Sequence, residues 1–135
     1  MARQPVYSIS DSTGKLLLRL MLGVFMLFHG YAKITTGVSG IETSLAGLGL
    51  PAWVAYGVYI GEIFAPLLVI IGYYARVGAA IIVINMIFAI TLSHAKQLFD
   101  LGKSGGWALE LQGFFLLTGL VIMLIGPGRF AINNR

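Results

Sequence analysis

The chain has 135 residues, of which 58% are hydrophobic and only 10% are charged. Soluble domains carry about 25% charged residues, and a small domain has too little interior to hide so large an apolar fraction. The mean hydropathy of +0.89 agrees with this. The composition therefore excludes a soluble enzyme, a disordered chain and a nucleic-acid-binding protein, and it indicates a multi-pass membrane protein.

Cysteine content and charge narrow the function classes further. The chain contains no cysteine, which excludes disulfides, thiolate metal sites and a thiol relay. Its nine Lys and Arg residues give a net charge of +4, but they are scattered singly rather than collected in a run. We therefore expect no nucleic-acid partner, and we expect the lipid bilayer as the principal surroundings.

Four apolar stretches, each close to the 20 or so residues that a spanning helix needs, follow one another along the chain. They cover residues of about 16–34, 52–72, 76–95 and 106–126, separated by segments rich in glycine, proline and polar residues. Ser8 is among the N-cap candidates before the first stretch. The pattern predicts an all-α integral membrane protein with four transmembrane helices in an antiparallel bundle, forming a single domain over residues 1–135.

The basic residues predict the orientation, because Lys and Arg accumulate at the cytoplasmic ends of spans. One side of the predicted bundle carries six of them: Arg3, Lys15, Arg19, Arg76, Arg129 and Arg135. The other side carries three: Lys33, Lys96 and Lys103. Both termini are therefore expected to be cytoplasmic. The outer segment 35–51 has apolar residues at helical spacing, which predicts a short interfacial helix.

Polar side chains are concentrated in the outer halves of the four predicted helices. Ionisable groups inside a span are costly, so each one marks a candidate site. The candidate ligand-binding or proton-relay residues are His29, Lys33, Tyr59, Glu62, Asn85, His94 and Glu110. The inner halves contain almost only Arg19, whose long side chain is expected to snorkel to the surface. The alternative is that these groups form a structural hydrogen-bond network between helices.

Glu62 is the deepest of these residues, because it lies near the middle of the second stretch. A carboxyl group at that depth needs a proton or a charged partner. Pro66 follows four residues later; it has no N–H to donate, and its ring clashes with the carbonyl of Glu62. The sequence therefore predicts a helix kink at Pro66, with a free backbone acceptor beside the acid.

Several motifs together resemble one known family. Arg19-x-x-x-Gly23 is followed by His29-Gly30-x-x-Lys33, and Gly126-Pro127-Gly128 closes the last helix. Between them stand Gly49-x-Pro51, Glu62 and Gly72-x-x-x-Arg76. In this order and spacing, from about Leu16 to Ile132, they resemble the DoxX-like membrane proteins. One departure is Ile63-Phe64-Ala65-Pro66, where these proteins are usually glycine-rich. The resemblance implies a small four-helix bacterial inner-membrane protein, linked in some members to quinone-coupled oxidation and to membrane oxidoreductase assemblies.

Two functions from different classes follow. In the first, the chain is a membrane-embedded subunit of a redox system that binds a quinone or similar lipid-soluble ligand in its outer half. His29, Tyr59, Glu62 and His94 would supply hydrogen-bond donors and a proton relay. Because the chain has no cysteine and no room for a soluble redox domain, a separate oxidoreductase partner is expected. In the second, the chain is a non-catalytic assembly or scaffold protein whose buried polar residues are structural.

Other ligand classes and functions rank lower. Haem held by His29 and His94 is disfavoured, and no metal site is expected, because the Glu-x-x-His pair of di-iron bundles does not occur. Transport ranks last, because the cytoplasmic half offers no polar path. A homo-oligomer remains open.

Overall fold

The computed structural model describes residues 8–135, without the side chains of Ser93 and His94. This part of the chain contains five α-helices: α1 (Ile9–Thr36), α2 (Ser39–Gly47), α3 (Ala65–Ile71), α4 (Ala75–Ala89) and α5 (Glu110–Ile125). Three continuous helical stretches are long and apolar enough to cross a membrane: Ile9–Thr36, Ala52–Ile71 and Ala75–Leu92. Helix α5 is apolar but shorter, with 16 residues.

Helix α1 begins seven residues before the predicted apolar stretch. The side chain of Ser8 accepts a hydrogen bond from the backbone N–H of Asp11 at 3.0 Å, which is the N-cap that starts the helix. Asp11 in the first turn complements the helix dipole and pairs with Lys15 at 3.1 Å. Polar residues thus extend α1 beyond the span that hydropathy alone indicates.

The segment after α1 contains a short helix, α2, within the residues for which an interfacial helix was predicted. Leu45 on α2 is fully buried and packs with Val38 and Ala55 in a small cluster. Leu92, at the end of the third apolar stretch, packs against the same cluster. Helix α2 therefore folds back over one end of the second and third stretches.

The second apolar stretch is not a regular α-helix. A 3₁₀ segment (Ala52–Gly57) and a π-helical segment (Ile60–Phe64) precede α3. The N–H of Ala65 bonds to the carbonyl of Ile60, five residues back. Pro66 stands directly after the π-helical segment and is buried in the first turn of α3. The irregular winding of this stretch thus ends just before Pro66, and a second π-helical segment (Ile90–His94) follows α4.

The main core lies between α1, α3, α4 and α5. Helix α4 packs against α3 and α5, and α1 packs against the same two helices. The buried apolar residues of this core are Leu22, Met26, Ala65, Val69, Ala79, Ile82, Met86, Phe115 and Ile122. Gly119 allows a close approach of α5 to α4, because a Cβ there would lie 2.8 Å from Val83 Cγ2. Close helix packing therefore replaces large core side chains at this contact.

The prediction that Arg19 snorkels to the surface is wrong. Arg19 is only 1% exposed, and its guanidinium donates four hydrogen bonds of 2.8–3.0 Å to backbone carbonyls. Two acceptors are Val69 and Ile70 in the last turn of α3, where helical carbonyls lack partners within the helix. The other two are Pro127 and Phe130, in the segment after α5. Arg19 therefore ties three parts of the chain together at one end of the structure.

Arg76 plays a similar part at the start of α4. Its Nε donates to the carbonyl of Met123 in the last turn of α5 at 3.2 Å, and its Nη1 donates to that of Asn134 at 3.1 Å. The part of α1 around Arg19 therefore meets the end of α3, and the start of α4 meets the end of α5. Each of these two pairs is antiparallel.

Candidate functional site

An ion pair between α1 and the π-helical segment lies at the centre of the candidate site. Lys33, in the last turn of α1, places its Nζ 3.3 Å from Oε2 of Glu62. The Glu62 side chain is 7% exposed and that of Lys33 is 27% exposed. Among residues 8–135, no donor makes a hydrogen bond of good geometry to Glu62 Oε2. The carboxylate is therefore neutralised by a nearby charge but retains hydrogen-bonding capacity.

Close packing of the backbone fixes the position of Glu62. Gly30 of α1 lies directly against the backbone carbonyl of Glu62, so that a Cβ at position 30 would clash with that carbonyl. This is the carbonyl that would accept from residue 66 in a regular α-helix, and Pro66 has no N–H to give. Gly30 and Pro66 together allow α1 to approach the acid closely.

Tyr59 contacts the backbone of Lys33, one partner of the ion pair. Its hydroxyl donates to the backbone carbonyl of Lys33 at 3.1 Å, and the same carbonyl accepts from the N–H of Gly37. Tyr56, an exposed neighbour, has its ring centroid 6.1 Å from that of Tyr59. Tyr59 thus holds the end of α1 in place, and its hydroxyl is engaged with backbone rather than with the carboxylate.

Asn85 of α4 approaches the same region from a third helix. Its side chain lies against the backbone of Gly61, where a Cβ would lie 2.5 Å from Asn85 Cγ and 2.7 Å from Oδ1. The Nδ2 atom of Asn85 is buried and has no hydrogen-bond partner in the described part of the chain. An unused donor therefore lies beside the residue that precedes Glu62.

A cavity of about 380 Å³ opens between the second and third apolar stretches. Lys33, Glu62 and Asn85 are the polar residues among the fourteen that line it. The apolar lining includes Ile84 and Phe88, which are 65% and 39% exposed on the outside of α4. The cavity is therefore apolar along most of its wall, polar at the ion pair, and continuous with the exposed apolar surface of α4.

A second cavity of about 150 Å³ adjoins the other side of the ion pair. Lys33 and Glu62 line it together with His29 and Gln112. The His29 ring also packs edge-on against Phe115, with ring centroids 5.4 Å apart. Lys33 and Glu62 therefore border both cavities, and His29 lines the smaller one.

The structure brings five of the seven predicted site residues together and leaves two elsewhere. Lys33 and Glu62 form the ion pair, and His29, Tyr59 and Asn85 lie near it. Glu110 is exposed at the start of α5, where its carboxylate lies over Gly106, and it lines neither cavity. The side chain of His94 lies outside the described residues.

One site residue was missed by the sequence reasoning, and no cluster of metal ligands was found. Gln112 lines the smaller cavity; a lone amide in the apolar run of α5 was the available signal. Within the described residues, no group of three or more His, Asp or Glu side chains is close enough to hold a metal ion.

Comparison with known proteins shows the family to which the chain belongs. The DoxX family model matches residues 14–95, which include Lys33, Glu62 and Asn85. The chain belongs to the DoxX family. It is 28% identical over 124 residues to "Putative oxidoreductase CatD" of Bacillus subtilis (strain 168), covering 92% of this chain and 87% of that protein. It is 29% identical over 127 residues to "Uncharacterized membrane protein Rv3486" of Mycobacterium tuberculosis, covering 87% and 78%. No solved structure matches the chain. The resemblance drawn from the sequence motifs is thereby confirmed.

Proposed function

We propose that this DoxX-family chain is the membrane component of a redox system and binds a quinone-type, lipid-soluble ligand in the larger cavity. One observation carries the proposal. An apolar cavity that reaches the lipid-facing surface ends at a buried ion pair and an unused amide donor. Small-molecule sites have this composition, with mostly apolar walls and a few convergent polar groups, and volumes of about 300–1,000 Å³.

The chemistry of a quinone matches the wall of this cavity. Its ring and tail are apolar, and its ring oxygens need hydrogen-bonding partners when they leave water. Lys33 and Asn85 offer donors at the polar end, and Glu62 offers a group that can exchange protons. The exposed gap at Ile84 and Phe88 allows entry from the bilayer without passage through water.

A separate oxidoreductase partner completes the proposed system. The chain has no cysteine to relay electrons, so a thiol route within it is excluded. The relative from Bacillus subtilis carries the name of an oxidoreductase. That name supports a redox role for this chain as well, with electrons exchanged between the bound ligand and a partner protein.

We also propose a placement in the bacterial inner membrane with four spans. Helix α5 is about 24 Å long at 1.5 Å per residue, somewhat shorter than a hydrocarbon core of about 30 Å, and it would be the fourth span. Arg19 and Arg76 lie at the end of the structure that also holds Lys15 and Arg129, which favours a cytoplasmic location for this end. Helix α2 then lies at the outer membrane surface.

Ligand binding in lipid nanodiscs tests the proposal. A short-chain benzoquinone is titrated in its oxidised and reduced forms against the wild-type chain and against Gly57→Phe. A Cβ at Gly57, which lines the cavity, meets nothing within 4 Å, so the phenyl ring is expected to occupy the cavity and to weaken binding at least tenfold. Glu110→Gln, outside both cavities, is the control and should bind as the wild type does.

The same titration distinguishes the alternative function. If the wild-type chain binds neither form, or if Gly57→Phe binds as well as the wild type, the proposal is overturned. A chain with no ligand affinity whose buried polar variants lose only stability would then fit the assembly or scaffold function.

A further inference from the structure

The loop that precedes α5, residues 98–107, exposes a group of large apolar side chains. Leu101 and Trp107 are antiparallel bridge partners, and the indole Nε1 of Trp107 donates to the carbonyl of Leu98 at 2.7 Å. These three residues therefore lie together, with Phe99 next to them in the chain. Phe99 is 93% exposed and Leu101 is 75% exposed, and Leu98 and Trp107 are also exposed. Contiguous apolar patches of this kind mark surfaces that contact a membrane or another protein.

The backbone of this loop is hydrogen-bonded to itself. The N–H of Gly102 donates to the carbonyl of Gly106 at 2.6 Å, and that of Gly105 donates to the carbonyl of Gly102 at 3.0 Å. The N–H of Ala108 donates to the carbonyl of Asp100 at 3.0 Å. Lipid tails offer no hydrogen bonds, so backbone groups that approach them need partners within the protein. These three N–H groups therefore have such partners at the edge of the acyl chains.

The length of α5 places the loop close to the acyl chains. With 16 residues at 1.5 Å each, α5 is about 24 Å long, whereas the hydrocarbon core of a bilayer is about 30 Å thick. Its last turn lies at the end of the structure that carries Arg19 and Arg129, the end that we place at the cytoplasmic surface. About 6 Å of hydrocarbon then remain in front of Glu110. Helix α5 therefore begins below the headgroups, and the loop before it lies at their level.

Charged groups set the upper limit on how deep the loop lies. Lys96, Asp100 and Lys103 are all exposed, and Lys103 stands in the turn between the two bridged residues. Charges and irregular backbone are excluded from the acyl chains themselves, whereas lysine side chains reach the headgroups readily. Tryptophan is enriched at the same level, because its ring is apolar and its N–H is polar. The composition of the loop thus fits the boundary between headgroups and acyl chains.

We propose that residues 98–107 form a lipid-contacting loop at the outer membrane surface, with Phe99 and Leu101 inserted among the ends of the acyl chains. This inference goes beyond the ligand site, and it rests on the proposed placement of α5 as the fourth span. The loop and α5 together then cover the full thickness of the bilayer. A protein partner on the same patch would explain the exposed apolar side chains but not the shortness of α5.

Spin labels on single cysteines in nanodiscs test the depth of the loop. The chain has no cysteine, so Phe99→Cys, Leu101→Cys, Lys103→Cys and Leu117→Cys each carry one label. Depth follows from collisions with oxygen, which concentrates among acyl chains, relative to collisions with a water-soluble nickel chelate. We expect the labels at Phe99 and Leu101 about 5–10 Å below the lipid phosphates, as interfacial segments lie. The label at Lys103 should lie in water, and the label at Leu117, exposed midway along α5, should lie near the bilayer centre.

Intrinsic fluorescence gives a second measurement without a label. The chain has two tryptophans, so Trp53→Phe leaves Trp107 as the single emitter, and Trp53 is exposed, so no buried contact is lost. Lipids brominated on their acyl chains should quench Trp107, whereas iodide in the aqueous phase should not. Quenching by iodide alone would overturn the inference.

The outcomes at the labelled positions separate the loop inference from the placement of α5. Nickel collisions at Phe99 and Leu101 as frequent as those at Lys103 mean that the loop lies in water, and the inference fails. If neither oxygen nor nickel reaches these two labels, a protein covers the patch, either a partner or a second copy, and lipid contact is likewise overturned. If instead the label at Leu117 lies in water, the fourth span fails and the inference falls with it.

Discussion

Lys33 and Glu62 form an ion pair between the last turn of α1 and the π-helical segment, with Nζ 3.3 Å from Oε2. Removing one partner of a buried pair leaves an uncompensated charge, which typically costs about 3–5 kcal/mol. We expect Lys33→Met to lower the free energy of unfolding by about 3 kcal/mol, because Lys33 is partly exposed and some water can relieve the charge. Reversible unfolding in mixed micelles measures this change in the free energy of unfolding.

The double variant Lys33→Met/Glu62→Gln should recover most of that loss, because no unpaired charge then remains. Lys103→Met, on the exposed loop before α5, is the control and should unfold as the wild type does. A double variant as unstable as Lys33→Met alone would mean that the charge pairing does not matter.

A second prediction concerns the buried guanidinium of Arg19. Its guanidinium donates to four carbonyls in two separate segments. A lysine ammonium, a single point charge on a flexible chain, cannot donate to all four positions. We expect Arg19→Lys to lower the free energy of unfolding by about 3 kcal/mol, because two or more buried carbonyls lose their donors. The exposed Arg129→Lys, measured by the same unfolding assay, should change it by less than about 0.5 kcal/mol. Equal stability of the two variants would contradict this role.

Arg19 also shows where sequence reasoning reaches its limit. A single arginine in an apolar run looks like a snorkelling residue, because its acceptors lie 50 to 111 positions away and no local pattern reveals them. Glycines and polar residues predicted the helix breaks well, because turn chemistry is local. Hydropathy placed the first span from about residue 16, whereas α1 begins at Ile9 after Ser8, one of the N-cap candidates named from the sequence.

Counting residues indicates how deep along each helix a candidate site residue lies, but not the direction in which its side chain points. Counting residues along the helices placed Glu62 and Asn85 at similar depths, and the structure has both lining one cavity. Glu110 was placed in the same outer half but only about four residues into the last helix; it is the first residue of α5, is exposed and lines neither cavity. Depth follows from a rise of 1.5 Å per residue, whereas the direction in which a side chain points depends on how each helix is rotated against its neighbours.

A third prediction uses two glycines that line the same cavity. A Cβ at Gly61 would lie 2.5 Å from Asn85 Cγ, whereas a Cβ at Gly57 meets nothing within 4 Å. Gly61→Ala should therefore displace Asn85 and cost about 1–3 kcal/mol, the usual range for overpacking. Gly57→Ala should be neutral or slightly stabilising. The quinone titration measures the displacement of the Asn85 side chain independently, because only Gly61→Ala should weaken ligand binding. Equal effects of the two substitutions would contradict the contact with Asn85.

The last prediction separates backbone strain from crowding at the arginine contact. Gly37 and Gly72 both have positive φ angles, +80° and +72°. A Cβ at Gly37 meets open space, but at Gly72 it would lie 2.6 Å from Arg19 Nη2 and 2.5 Å from Ala131 Cβ. Gly37 has a ψ of −175°, a combination that essentially only glycine adopts, so Gly37→Ala should cost about 1–3 kcal/mol of backbone strain and nothing for crowding. Gly72 is in the left-handed α region, with a ψ of 32°, so Gly72→Ala should cost about 1–2 kcal/mol of strain. Overpacking should add about 1–3 kcal/mol at Gly72. Combining Gly72→Ala with Arg19→Lys should then be less than additive, because both disturb one contact. Strict additivity in the unfolding assay would show that Arg19 and Gly72 act independently.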